Sequence, residues 1–197
     1  MQALLRTSCF AFFALSQSVN AEGLDHVLAH PPFAGAYVCT EHFQGQLPYP
    51  GDDLGTDCLV TEIVAEGGRE WPRTHRGDGS RNEDWFSWNA PLLSPCECEV
   101  LKIHVNDVTN EPGRLGKPPA SIIVLKREDG VHFMLAHVQD IKVEVGARVG
   151  YGDEVARIGN NGYGRTPHVH IGAWRERTPL QIRWDQRYMN GANKPGS

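Results

Sequence analysis

Residues Ile158 to Trp174 read IGNNGYGRTPHVHIGAW, and the triplet His168-Val169-His170 inside them decides how the chain is read. In a strand, side chains at i and i+2 leave the same face, so both imidazoles point one way. Val169 and Ile171 interleave with them, as in a strand buried on its other face. Ahead of the triplet, Gly159 to Arg165 is a Gly- and Asn-rich loop that can turn tightly. Two histidines side by side after such a loop suit a zinc site with a neighbouring acid–base group. The competing reading is a pair of surface histidines on an edge strand.

Working outward, Ala120 to Val138 reads as a hairpin. Ser121 to Glu128 and Val131 to Val138 are joined at Asp129-Gly130, a two-residue turn signal. Val131, Phe133, Leu135 and His137 then share a face, and His137 becomes a functional candidate if the His168 strand lies alongside. Between these pieces, Ile141 to Ile158 alternates Val and Gly as two short strands would. After them, Trp174 to Arg183 finishes the edge of the core.

Further upstream, Gly35 to Cys39 reads as a first strand, and Pro48 to Val64 as a loop entering a second. That loop holds Asp53-Leu54-Gly55-Thr56-Asp57, with Glu62 following, and carboxylates can ligate zinc through oxygen. It also has the composition of a solvated turn. Arg69 to Asp84, with His75, is a polar connection. Asn82 to Ile103 reads as strand, turn and strand. Val105 to Pro119 is a Pro- and Gly-punctuated loop that reads first as a solvated connection and also as a candidate rim of a cleft.

Met1 to Ala21 has the marks of a secretory signal peptide: Arg6, the short apolar run from Cys9 to Leu15, and small residues ending at Ala21. That run is shorter than the ~20 residues a membrane helix requires, and no other segment approaches that length. The exported chain would keep 197 − 21 = 176 residues, enough for one domain with a core. Residues 22–34 form a polar lead, 35–188 the domain and 189–197 a tail. The net charge of −5 is spread along the chain, with no basic block for nucleic acid and no basic amphipathic helix for a membrane surface. Four cysteines remain after the signal: Cys39, Cys58, Cys96 and Cys98. In an exported chain they favour disulfides in one of three pairings, with a cysteine-rich zinc site as the rival. Cys39 with Cys58 makes a natural loop, whereas a Cys96–Cys98 bond along one strand face would be cramped. Poor helical periodicity and frequent turn signals make the chain mostly β.

The segment from Ala136 to Ile171 resembles the lysostaphin/LytM-type zinc metallopeptidases, which cleave peptide bonds in peptidoglycan. Four pieces carry the resemblance in the family's order. They are Ala136-His137-Val138, the stretch Val145-Gly146-Ala147-Arg148-Val149 with Gly152, Ile158-Gly159-Asn160-Asn161-Gly162, and Pro167-His168-Val169-His170-Ile171. The resemblance implies an antiparallel, mostly β fold of two small sheets around one core, a sandwich or hybrid barrel with few or no helices beyond the signal peptide. It places the cleft above the His strand. It also implies one zinc ion held by His170, with His137 and His168 assisting the attacking water and the developing oxyanion.

The family's two upstream ligands come from an H-x-x-x-D motif that this chain lacks. Asp53 to Asp57 has its spacing and a central Gly, with Asp in place of His, so Asp57 and Asp53 are the expected carboxylate ligands. Glu62 is the alternative carboxylate, with Asp57 or Cys58 then near the missing His, and His75 is a third possibility. A site of one His and two carboxylates would bind zinc less tightly than one with two histidines and could prefer a harder ion. Two functions follow. One is a periplasmic or secreted zinc endopeptidase acting on peptidoglycan peptides. The other is a catalytically silent relative that binds wall peptides or activates a cell-wall amidase.

Overall fold

The computed structural model describes residues 23–189. The expected signal peptide, and all of the expected tail beyond Met189, lie outside the described residues. The described residues form fifteen strands, two single-turn 3-10 segments, Asn82–Asp84 and Gln186–Tyr188, and no α-helix. In order the strands are β1 (His26–Ala29), β2 (Tyr37–Glu41), β3 (Thr56–Val60), β4 (Glu62–Glu66), β5 (Arg69–Arg73), β6 (Pro91–Leu93), β7 (Cys98–His104) and β8 (Ile122–Arg127). There follow β9 (Val131–Ala136), β10 (Val138–Gln139), β11 (Arg148–Val149), β12 (Glu154–Ile158), β13 (Val169–Arg175), β14 (Thr178–Pro179) and β15 (Gln181–Trp184).

The main sheet runs β11-β7-β8-β9-β13-β3-β2, with β14 added to β13, and every pairing in it is antiparallel. A second sheet, β10-β12-β6, is also antiparallel. The mostly antiparallel β architecture read from the sequence is therefore present, but one sheet is far larger than the other. A parallel pair, β1 with β15, departs from the antiparallel rule. It also turns the lead, read from the sequence as a polar approach, into a strand whose Val27 and Ala29 are buried in the core.

The core lies where the alternation placed it. Val131, Phe133 and Leu135 of β9, Ile123 and Leu125 of β8, and Val169, Ile171 and Ala173 of β13 are all fully buried. Period-2 alternation sends these side chains to one face and leaves the other for polar residues. Truncating Leu135 to alanine would cost about 2–5 kcal/mol, the usual range for a packed aliphatic side chain.

The hairpin between β8 and β9 differs from its reading in one detail. Lys126 pairs with His132, so the connection is Glu128-Asp129-Gly130 rather than Asp129-Gly130 alone. Gly130 N–H donates to Arg127 O, and Gly130 sits at φ 85°. This is a turn followed by a left-handed residue, the three-residue form that glycine favours.

Both disulfides form: Cys39–Cys58 and Cys96–Cys98. Cys39 and Cys58 lie directly opposite each other on β2 and β3. The Cys96–Cys98 bond, read from the sequence as cramped, is accommodated because Cys96 precedes β7 in a turn instead of sharing the strand.

Candidate metal centre

One face of the main sheet gathers the polar residues. His170 on β13 pairs with Asp57 on β3, and Asp57 pairs with Thr40 on β2. His42 continues the alternation just beyond β2, so it emerges on the face of Thr40 and Asp57; its N–H donates to Gly55 O at 2.8 Å. His168, two residues before His170, faces the same way.

The ligand atoms converge. Asp57 Oδ1 lies 2.9 Å from His170 Nδ1, and Asp57 Oδ2 lies 3.4 Å from His42 Nε2. One donor atom from each of His42, Asp57 and His170 can be chosen so that all lie within 4.8 Å of one another. The His42 and His170 rings stack with centroids 5.2 Å apart. His168 Nε2 approaches the same carboxylate at 3.9 Å, and the His137 ring centroid is 4.5 Å from that of His168.

Each of the four imidazoles is tied through its other nitrogen to a backbone carbonyl. His42 Nδ1 meets Asp52 O at 3.2 Å, and His170 Nε2 meets Gly51 O at 2.8 Å. His137 Nδ1 meets Asn161 O at 2.7 Å, and His168 Nδ1 meets Thr166 O at 2.6 Å. A carbonyl can only accept, so each tie places a proton on that nitrogen and, when the ring is neutral, leaves a lone pair on the other. Metal-binding histidines show this pattern, because the outer hydrogen bond sets the tautomer and the ring orientation.

Two glycines shape the pocket. A Cβ on Gly55 would stand 2.8 Å from His170 Cε1, so only glycine leaves room for that ring. A Cβ on Gly172 would collide with the Gly51 carbonyl, so glycine lets the 49–54 loop lie against β13 and deliver its carbonyls to His170.

The Gly- and Asn-rich loop is held from the far side. The buried Asn110 donates to Gly162 O and Gly164 O, both at 3.0 Å, which makes Val105 to Pro119 a clamp on the 159–165 loop. Buried Asn161 accepts from Ser121 N at 2.7 Å and donates to Val138 O at 2.9 Å while its own carbonyl takes His137. His137 itself sits at φ 65°, turning the chain out of β9 toward β10. Its carbonyl accepts from Gly159 N at 2.9 Å, and such supports hold a side-chain-bearing residue in the left-handed region.

The electrostatics separate the histidines. Burial disfavours the Asp57 charge, but the His170 hydrogen bond and the neighbouring His168, His170 and His42 outweigh it and hold the carboxyl well below the usual range. Burial also works against a charged His170, yet hydrogen bonds to Asp52 and Asp57 raise it to about 9. Burial pulls His137 down to about 3, with His168 adding to the shift. Burial lowers His168 as well, opposed by Asp57. The negative potential that holds a proton on His170 is also what a divalent cation requires. Two imidazoles and one carboxylate form a three-ligand set of the kind catalytic zinc uses, and the donor set and its outer hydrogen bonds fit that ion.

The structure brings together four of the residues singled out from the sequence: Asp57, His137, His168 and His170. The others lie elsewhere. Asp53 accepts from Gly45 N at 2.7 Å, Glu62 pairs with Arg76 at 3.4 Å, and His75 rests against Trp85. In place of the expected one-His, two-carboxylate set, the grouped residues are two histidines and one aspartate. His42 escaped the sequence reading because it is not at motif spacing from Asp57. The signal that could have found it is the Cys39–Cys58 pair: facing these cysteines across a hairpin puts His42 opposite Gly55 and next to Asp57.

Residues 89–182 match the model of peptidase family M23. The matched segment contains His137, His168 and His170, whereas His42 and Asp57 precede it. No curated protein matches the chain. Among solved structures, the catalytic domain of the antimicrobial peptidase lysostaphin from Staphylococcus simulans is 18% identical, over 73% of this chain and 87% of that one, with a TM-score of 0.45. A mutant of the catalytic domain of the prophage-encoded M23 protein EnpA from Enterococcus faecalis is 17% identical, over 77% of this chain and 92% of that one, with a TM-score of 0.47. A chain of the SpoIIQ-SpoIIIAH pore-forming complex is 17% identical, over 46% of this chain and 52% of that one, about half its length, with a TM-score of 0.38. The LytM-type resemblance read from the sequence thus agrees with the family match over residues 89–182.

Proposed function

We propose that this chain, whose residues 89–182 match the model of peptidase family M23, is an exported zinc-dependent endopeptidase that hydrolyses peptide bonds of peptidoglycan. The observation that carries this reading is the convergence of His42 Nε2, Asp57 and His170 Nδ1 beside His168 and His137. His42 offers the imidazole that the upstream motif lacks, which favours the enzyme over a silent relative. The two disulfides accord with an oxidising compartment, periplasmic or extracellular. Among the described residues no helix is long and apolar enough to cross a membrane.

When bound, zinc polarises the scissile carbonyl and lowers the pKa of water toward ~7. The protein's own groups do the rest. Asp57, ionised across the neutral range, supplies the negative charge that His42 and His170 alone would lack. His168 presents a lone pair at Nε2, because its Nδ1 proton is committed to Thr166 O. From there it takes the proton of the attacking water and returns it to the leaving amine as the carbon–nitrogen bond breaks. Asp57 at 3.9 Å steadies the imidazolium formed between those events. His137, neutral through burial and fixed by Asn161 O, accepts a hydrogen bond from the water at Nε2 and orients it. His168 in its protonated form also faces the developing oxyanion.

Digestion of purified peptidoglycan by the zinc-loaded protein tests this. New amino termini should appear with the wild type and be lost in His168→Ala, with zinc content retained. Absence of any cleavage across wall types, with zinc bound, would overturn the enzymatic reading and favour a wall-peptide binder or an amidase activator.

A further inference from the structure

We propose that Asp52 is the positioning residue that holds both histidine ligands of the metal centre in register, an inference that rests on the zinc reading above. Besides the ligand Asp57, Asp52 touches both rings. Its carbonyl oxygen accepts from His42 Nδ1 at 3.2 Å, and its carboxylate Oδ1 stands 3.3 Å from His170 Nε2. His170 Nε2–H also donates to the adjacent Gly51 carbonyl at 2.8 Å, so Gly51 and Asp52 hold that ring through one nitrogen.

The loop geometry makes this possible. Asp52 N–H donates to Tyr49 O at 2.9 Å and Gly55 N–H donates to Asp52 O at 3.2 Å, a turn that closes on itself. Glycine at 172 then lets that turn lie on β13. His42 follows β2 and His170 lies on β13, the two strands that flank β3, and the turn carrying Asp52 bridges them on the side away from Asp57. A carboxylate on the outer nitrogen of a ligating imidazole fixes its tautomer and increases its basicity as a ligand. Asp52 therefore does for His170 through its side chain what it does for His42 through its backbone. No part of this was visible as a motif, because Asp52 stands outside the Asp53–Asp57 spacing.

The test measures zinc affinity of the full chain by competition with a chromophoric chelator, together with the visible spectrum of the cobalt(II) form. Asp52→Ala should weaken zinc binding by roughly 10–100-fold, the usual effect of losing an outer partner, and shift the cobalt bands. Asp52→Asn keeps an acceptor oxygen without the charge and should give an intermediate loss. If Asp52 merely shapes the loop, thermal stability will fall while affinity and spectrum stay those of the wild type, and that outcome overturns the proposal. Should the alanine variant not fold, wild-type affinity and spectrum in Asp52→Asn overturn it equally. A wild type that takes up no zinc overturns the zinc reading itself, which is a distinguishable failure.

Discussion

His42 Nε2 stands 3.4 Å from Asp57 Oδ2 at the two ends of a loop that the Cys39–Cys58 disulfide closes. The closed loop contains His42, Gly51, Asp52, Gly55 and Asp57, which are all the upstream contributors to the centre. A short H-x-x-x-D motif holds its two ligands close by chain connectivity alone. Here the ligands are far apart in sequence, and the antiparallel register of β2 on β3 brings them together, with the disulfide locking that register.

The disulfide should therefore matter to the metal as well as to the fold. Closing a loop of this length removes unfolded-state entropy worth about 3 kcal/mol. Paired Cys39→Ser and Cys58→Ser substitutions should lower both the melting temperature and zinc affinity. Paired Cys96→Ser and Cys98→Ser substitutions, at the start of β7, should leave zinc affinity unchanged. Chelator competition on the two variants checks this, and equal zinc affinities would contradict it.

Gly55→Ala isolates the steric requirement of the site. The added methyl would meet His170 Cε1 at 2.8 Å and Nε2 at 3.1 Å, so the ring must move. Overpacking of this kind costs about 1–3 kcal/mol. We expect a folded protein by circular dichroism with sharply reduced zinc affinity. An alanine variant with wild-type affinity would mean that His170 is not held where it must be to ligate.

Asn161→Ala tests the support of His137. The side chain accepts from Ser121 N and donates to Val138 O, and both partners are in the interior. Leaving such groups unpaired costs about 1–3 kcal/mol each. Chemical denaturation should show that loss, and peptide hydrolysis should fall through kcat while zinc content stays at the wild-type level. A loss of zinc with unchanged kcat per bound zinc would assign Asn161 to the metal instead.

The legible parts of this fold are those set by local periodicity. Alternation along Val131 to Leu135 and Val169 to Ala173 showed which faces would be buried, and Gly130 marked the hairpin. β1 was not legible, because His26–Ala29 is too short to display a pattern and becomes a strand only by pairing with β15. In the site, the spacing of His168 and His170 announces a shared face. The nearness of His137 follows from β9 lying beside β13. His42 is a different case: nothing near it in sequence marks it, and only the register of β2 on β3 gives it a partner. The carbonyl ties from Gly51, Asp52, Asn161 and Thr166 are backbone geometry, which side-chain identities do not encode directly.

The most direct test of the account is zinc stoichiometry of the purified wild type beside His42→Ala and His75→Ala. We expect one zinc per wild-type chain, the same in His75→Ala, and loss of the metal in His42→Ala, since removing one of three protein ligands leaves too few donors. Zinc retained at full stoichiometry and affinity in His42→Ala would contradict the assignment of the centre to His42, Asp57 and His170.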